Sequence, residues 1–379
     1  MNIKNHGRRI ASLALSLLLA GAFAIHATVP PVVALDTVPD RGLFVTSYGK
    51  PDVFFNAAEI RALIDFAKRS GITVLFVQVY RENMTWFPSS VGDPSKFEAA
   101  FRSVGENPVT LLIEEAHRQG IRVHAWMNLL SLGSNQNAPL LKKYGADILT
   151  RNLKKKETLR DYKIDGHFFL EPGDPRVRAE LSQLVREILS AYPSLDGLQF
   201  DYIRYPDWEP HYGYGPANVA RFRKTTGCTQ IDDASELWRQ WKRDQVTDLL
   251  TMLVTQARAM NPALAVSTTG CMPHARALRE AFQDWPAWIN DGIVDFVTVM
   301  NYTPAPDEFE RWNRQIKTNI KDFKKVFIAV GAYKPATTAG VFRREFESCE
   351  ASGAGACVVF YYGSLLQKPG VRKFFAGSM

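Results

Sequence analysis

The chain has 379 residues, with 46 Lys and Arg against 39 Asp and Glu and a formal charge of +7. With 46% hydrophobic and 22% charged residues it can bury a large core, which excludes a disordered or collagen-like chain. Four cysteines are too few for a disulfide scaffold.

Residues 1–9 hold Lys4, Arg8 and Arg9 and no acid, and the stretch from Ile10 to Ile25 carries no charge. That stretch is short of the roughly 20 residues a membrane span needs. Small residues follow at Ala22, Ala24, Ala27 and Ala34. The pattern predicts a secretory signal over residues 1–34, with an uncleaved anchor as the alternative. The remaining residues 35–379 are then an exported domain, periplasmic or extracellular, with no integral membrane span. Loss of the signal removes three bases and no acid and lowers the charge to +4. A mild surplus of that kind is ordinary for a soluble domain, and no nucleic-acid partner is expected.

Beyond residue 40, short apolar runs alternate with helical patterns. The first run begins near Gly42 (GLFVTS). Asn56 and Glu59 then resemble a capping box, ahead of the stripe Ile60, Leu63, Ile64 and Ala67. The second run begins near Thr73 (TVLFVQVY) and ends in Gln78, Tyr80, Arg81, Glu82 and Asn83. The third, near Ile121 (IRVHAWMN), ends in His124, Trp126 and Asn128. Glu171 follows in a loop before Asp174-Pro175, an N-cap with proline at the first helical position. The fourth run, near Gly197 (GLQFDYI), ends in Asp201, with Tyr202, Arg204 and Tyr205 after it. Ser235 opens a long helix whose apolar positions include Leu237, Trp238, Trp241, Leu249, Leu250 and Leu253, and Asn261-Pro262 closes it. Further runs begin near Ala263, Val294, Val326 and Ala356. The first of these ends near Thr269 and Cys271, with Asp284-Trp285 after it; the second ends in Asn301-Tyr302 and the last in Tyr361.

Nearly continuous apolar runs fit strands buried on both faces, as in a parallel sheet. Eight of them alternating with helices predict an α/β fold, a (β/α)₈ TIM barrel, with an open doubly wound sheet as the competitor. The wide gaps between runs near Thr73, Ile121, Gly197 and Ala263 predict enlarged loops after strands 2, 3 and 4. No GxGxxG, P-loop or GxSxG occurs where nucleotide or esterase chemistry needs it, and no Cys or His pair has metal spacing. Neither a cofactor nor a metal is expected.

Barrel chemistry sits where strands end at their C-termini. There the sequence collects carboxylates, amides and large aromatics, the mixture that binds sugars. Glycosidic cleavage needs two carboxyl groups across the scissile bond. Asp201 is the first candidate, as nucleophile or base, with Arg204 near enough to keep it ionised or to anchor the next loop. Glu171 is the leading acid candidate, against a loop carboxylate paired with Arg176 or Arg178. Glu82 and Asp284 are alternatives for the acid, Asp284 equally readable as an N-cap. Tyr80, Trp126, Asn128, Arg204, Tyr205, Trp285, Asn301, Tyr302 and Tyr361 complete the expected substrate-binding set. His124 reads as a core histidine, and Lys154-Lys155-Lys156 as a solvated loop or a contact to an anionic polymer. If the chain is exported, Cys349–Cys357 is the easiest disulfide, which leaves Cys228 and Cys271 either paired or as free thiols.

Several segments resemble the bacterial glycosyl hydrolase-like family 10. They are Arg41–Thr46, Val123–Asn128, Leu170–Pro175, Asp196–Tyr202 with Tyr205-Pro206, and Gln283–Trp285 with Gly292–Phe296. The resemblance runs from about residue 41 to 363 and implies a TIM barrel, export and action on carbohydrate, in one branch on peptidoglycan glycan strands. By position, Asp201 and Glu171 match acidic positions of the family, and Trp126, Asn128, Asp284 and Trp285 match groove motifs. The chain departs from the family in having Glu171 where Asp is common, Leu129 where Pro is common, and Tyr202 in place of a second acid. The expected function is cleavage of a polysaccharide, either peptidoglycan glycan or an exopolysaccharide. The alternative is a carbohydrate-binding barrel without catalysis.

Overall fold

The computed structural model describes residues 40–153, 159–160, 162, 164 and 166–376, all within the unit Thr37–Met379. The expected signal segment and the triple-lysine run lie outside the described residues. Among the described residues no helix is long and apolar enough to cross a membrane.

The strands are β1 (Asp40–Val45), β2 (Val74–Arg81), β3 (Met84–Thr85), β4 (Arg122–Asn128), β5 (Gly197–Asp201), β6 (Ala265–Cys271), β7 (Phe296–Asn301), β8 (Val326–Gly331) and β9 (Ala356–Phe360). All but β3 are parallel, in the order β1-β9-β8-β7-β6-β5-β4-β2, and β1 also pairs with β2. That last pairing closes the sheet into a TIM barrel and rules out the open doubly wound alternative. The eight predicted runs are the eight barrel strands, while β3 is a short antiparallel return from β2.

The outer layer forms where the sequence caps it. Asn56 Oδ1 accepts from Ala58 N at 2.8 Å and opens the helix Ala57–Arg69. Asp174 Oδ1 does the same for Arg176 N at 2.8 Å ahead of Pro175–Ala191. Ser235 Oγ caps Trp238 N at 3.3 Å on Glu236–Met260. Each such cap contributes about 1 kcal/mol. Leu237, expected in the apolar stripe of that last helix, is instead exposed, while Trp238 beside it is buried against Tyr214 and Phe222.

Inside the barrel the packing is aromatic. Phe44, Phe76, Trp126, Phe296 and Phe327 share one buried cluster, and Phe296 stacks on Phe327 with ring centroids 4.0 Å apart. His124 is buried edge-on to Phe76, and desolvation lowers its pKa to about 3, so the ring is neutral. It fits because Gly197 lies opposite: a Cβ there would come 2.3 Å from His124 Nδ1. Cys349 and Cys357 form a disulfide that ties the helix Ala339–Ala351 to β9. Cys228 and Cys271 are free, Cys271 buried at the end of β6.

Candidate active site

The C-terminal mouth of the barrel opens into a cavity of about 450 Å³. Asp201 closes β5 beside Asn128, its register partner at the end of β4. Its carboxylate accepts Trp126 Nε1–H on Oδ2 at 3.0 Å, and Tyr202 N–H at 2.7 Å and the Thr269 hydroxyl on Oδ1. The left-handed backbone of Tyr202, φ +52°, turns the chain so that its amide points back at Asp201. Three donors from three strand ends fix the orientation of this carboxylate.

Glu82 reaches the same cavity from the end of β2. Arg81 and Met84 are paired, so Glu82-Asn83 is a two-residue hairpin turn with φ of +56° and +59°. Such a turn prefers Asn and Gly, and a Glu in it is held at a cost. Asn83 suits the turn: its buried amide donates to Val91 O at 3.1 Å and accepts from Leu140 N at 2.9 Å. Asn135 Nδ2 holds Glu82 O at 2.8 Å. Gly133, φ +54°, leaves room for the acid; a Cβ there would lie 2.4 Å from Glu82 Cγ. Arg81 Nη2 lies 2.5 Å from Glu82 Oε1, and its guanidinium covers the Tyr48 ring at 4.2 Å.

Aromatic rings wall the rest of the mouth. Tyr302 packs on Phe360 at 5.1 Å and Tyr333 at 5.7 Å, and Tyr361 faces Tyr48 at 6.0 Å. Gln78 Nε2 donates to Asn128 Oδ1 at 3.3 Å, and its Oε1 accepts from Ser47 Oγ at 3.0 Å. Arg204 lies over the Tyr202 ring at 4.4 Å, and its Nε and Nη1 have no hydrogen-bond partner among the described residues. The expected Arg204–Asp201 anchor is thus not a hydrogen bond; the two interact only electrostatically.

The mouth brings together Asp201, Glu82, Trp126, Asn128, Arg204, Tyr302 and Tyr361 of the sequence candidates. Glu171 lies elsewhere. It is 1% exposed, and its Oε1 accepts from Tyr205 OH at 2.6 Å and Gly173 N at 3.3 Å. Burial raises its pKa to about 7 against those hydrogen bonds. Tyr205 is buried with it, and Tyr80 is buried with its hydroxyl oxygen accepting from Asn83 Nδ2 at 3.2 Å. Neither Arg176 nor Arg178 pairs with Glu171: Arg176 binds Asp174, and Arg178 binds Pro172 O and Gln245. Asp284 caps the helix Trp285–Asn290 and faces a second cavity of about 750 Å³. Trp285 is buried with its indole N–H on Cys271 O at 3.2 Å. Asn301 is buried, donating to Phe309 O and to Asn313. Seven mouth residues escaped the sequence reading as site candidates: Phe44, Tyr48, Ser131, His167, Met300, Tyr333 and Phe360. Tyr48 and Tyr333 follow strand ends, so the strand-end rule could have found them. Ser131 and His167 sit in a long connection with no such signal.

A family model described as "Glycosyl hydrolase-like 10" matches residues 40–338. The chain is 24% identical over 295 residues to "Glycosyl hydrolase DigH" of Escherichia coli, covering 72% of this chain and 64% of that protein. It is 22% identical over 258 residues to "Glycosyl hydrolase YngK" of Bacillus subtilis, covering 63% and 48%. The chain therefore spans about half to under two thirds of these relatives' length. Among solved structures, the PgaB (BpsB) glycoside hydrolase domain from Bordetella bronchiseptica superposes with a TM-score of 0.68 at 16% identity, over 89% of this chain and 98% of that one. The catalytic domain of a β-amylase from Paenibacillus polymyxa superposes at 0.58 and 10% identity, over 87% and 94%. At these identities the likeness concerns the fold.

Proposed function

The chain belongs to the glycosyl hydrolase-like 10 family, and on that premise we propose that it is an exported glycoside hydrolase. Its substrate would be a bacterial polysaccharide, either the glycan of peptidoglycan or an exopolysaccharide. The observation that carries this reading is a single open mouth holding Asp201, Glu82 and a wall of aromatic rings. Rings stack on the apolar face of a pyranose, and Asn128 and Gln78 offer amides to its hydroxyls. Asp201, oriented by three donors, attacks the anomeric carbon or takes the proton of an attacking water. Glu82 protonates the leaving oxygen. Glu82 is preferred to Glu171 because it lines the mouth, whereas Glu171 is buried outside it. Export is supported by the signal pattern and by the Cys349–Cys357 disulfide, a bond that persists in oxidising compartments.

The test is release of reducing ends from a panel of peptidoglycan glycan strands and neutral, amino and uronic exopolysaccharides. Asp201→Asn is expected to abolish release, and Glu82→Gln to lower it by about a hundredfold or more. Glu171→Gln is expected to keep the rate. Undiminished turnover by Asp201→Asn sinks the assignment, and loss in Glu171→Gln returns Glu171 to the mechanism.

One observation favours a second reading, a carbohydrate-binding barrel without catalysis. Arg81 engages Glu82 at 2.5 Å, so one of the two mouth carboxylates already has a cation partner. Pull-down on the same panel separates the readings, since binding with no fragments in the supernatant belongs to this one.

A further inference from the structure

Trp208 is 70% exposed, the most of any described large hydrophobic side chain. It lies in the connection between β5 and the helix Pro216–Thr226, four residues past Arg204 of the mouth. Its φ is +65°, a region that bulky residues seldom occupy unless the surroundings impose it.

Those surroundings are firm. The Arg276 guanidinium covers one face of the indole at 4.3 Å. Arg276 is itself held by an ion pair with Asp207 and by Met272 O. After it in the chain, the buried Lys242 donates to Pro210 O at 2.8 Å and Tyr212 O at 3.1 Å. Before it, Tyr205 N is bonded to Ala281 O at 3.0 Å. A large flat ring is thus held in water, with one face occupied and the other open.

We propose that Trp208 is a stacking platform for a sugar ring of the same glycan chain, a distal subsite outside the mouth. The inference rests on the carbohydrate reading above. One open indole face matches the apolar face of one pyranose. A protein partner would need about 800 Å² of covered surface, and the immediate neighbours Asp207 and Glu209 are acidic. Four residues of chain place Trp208 at most about 14 Å from Arg204, Cα to Cα, within reach of a sugar chain leaving the mouth. The platform makes a polymer, rather than a disaccharide, the preferred substrate.

The experiment compares Trp208→Ala and Trp208→Phe with wild type on the polysaccharide from the panel that wild type cuts, and on the disaccharide and hexasaccharide made from it. Trp208→Ala is expected to raise KM for polymer and hexasaccharide about tenfold and to leave kcat and the disaccharide parameters unchanged. Trp208→Phe, which keeps a flat ring, restores most of the loss. Equal KM on every length overturns the platform while the hydrolase reading stands. Equal losses on disaccharide and hexasaccharide also overturn it, because Trp208 would then serve the mouth itself. A change in oligomeric state by light scattering with unchanged glycan kinetics assigns the ring to a protein interface and overturns it. A wild type that neither binds nor cuts any glycan overturns both readings together.

Discussion

Glu171 is a carboxyl group whose environment sets its proton affinity. Burial raises its pKa from 4.5 to about 7, so the folded state holds a proton that the unfolded state has released. The contribution of this group is then fully present below about pH 4.5 and is lost as pH rises toward 7, on the order of 3 kcal/mol in all. Glu171→Gln removes that titration. Thermal melts from pH 4 to 8 are expected to show a gain of the variant over wild type that grows across this window; parallel melting curves would refute it. Glu82 presents a different case, a side chain placed by backbone strain. Gly133→Ala would push a Cβ into Glu82 at a left-handed position. The variant is expected to lose about 1 kcal/mol of stability and a larger share of turnover, as read by melts and reducing-end assays side by side. The motif around Asp201 was visible in the sequence because it ends a strand. The neighbours that hold it, Trp126 and Thr269, come from other strands, and no spacing announces those bonds.

At the scale of elements, alternation along each strand decides which residues reach the mouth. In β7, Met300 lines the cavity and Asn301 turns outward to Phe309 and Asn313. In β2 an irregularity between Gln78 and Tyr80 shifts the register, so that Gln78 pairs with Trp126 and Tyr80 with Met127. The inserted residue sends Tyr80 to the helix side with Met127 while Gln78 stays inside. A strand-end list drawn from sequence cannot separate these two sets, because the bulge arises from pairing with a distant strand. The disulfide acts at this scale too. It closes a short loop, sequence separation 8, between an outer helix and β9. Cys349→Ser with Cys357→Ser is expected to cost about 2 to 3 kcal/mol by loop-closure entropy, measured by urea unfolding against wild type under oxidising conditions. Curves that coincide would show that helix and strand need no covalent tie.

For the whole molecule, the export proposed above predicts that the chain recovered from its native cell begins near Leu35 and lies outside the cytosol. Intact mass of the recovered protein checks this, and a cytosolic form with Met1 retained counts against it. The class of fold was determined by the sequence itself. Eight apolar runs with strand composition and capped helices between them are local requirements, and hydrophobic periodicity and capping residues carry them. Which residues line the mouth was decided only by the tertiary structure. Barrel closure brings the ends of β2, β4, β5, β6 and β9 to one mouth. There Glu82 joins Asp201, while Glu171 is buried with Tyr205 beyond the wall. Which carboxylate meets which depends on strand register and turn geometry, and these are set by contacts between residues far apart in the chain.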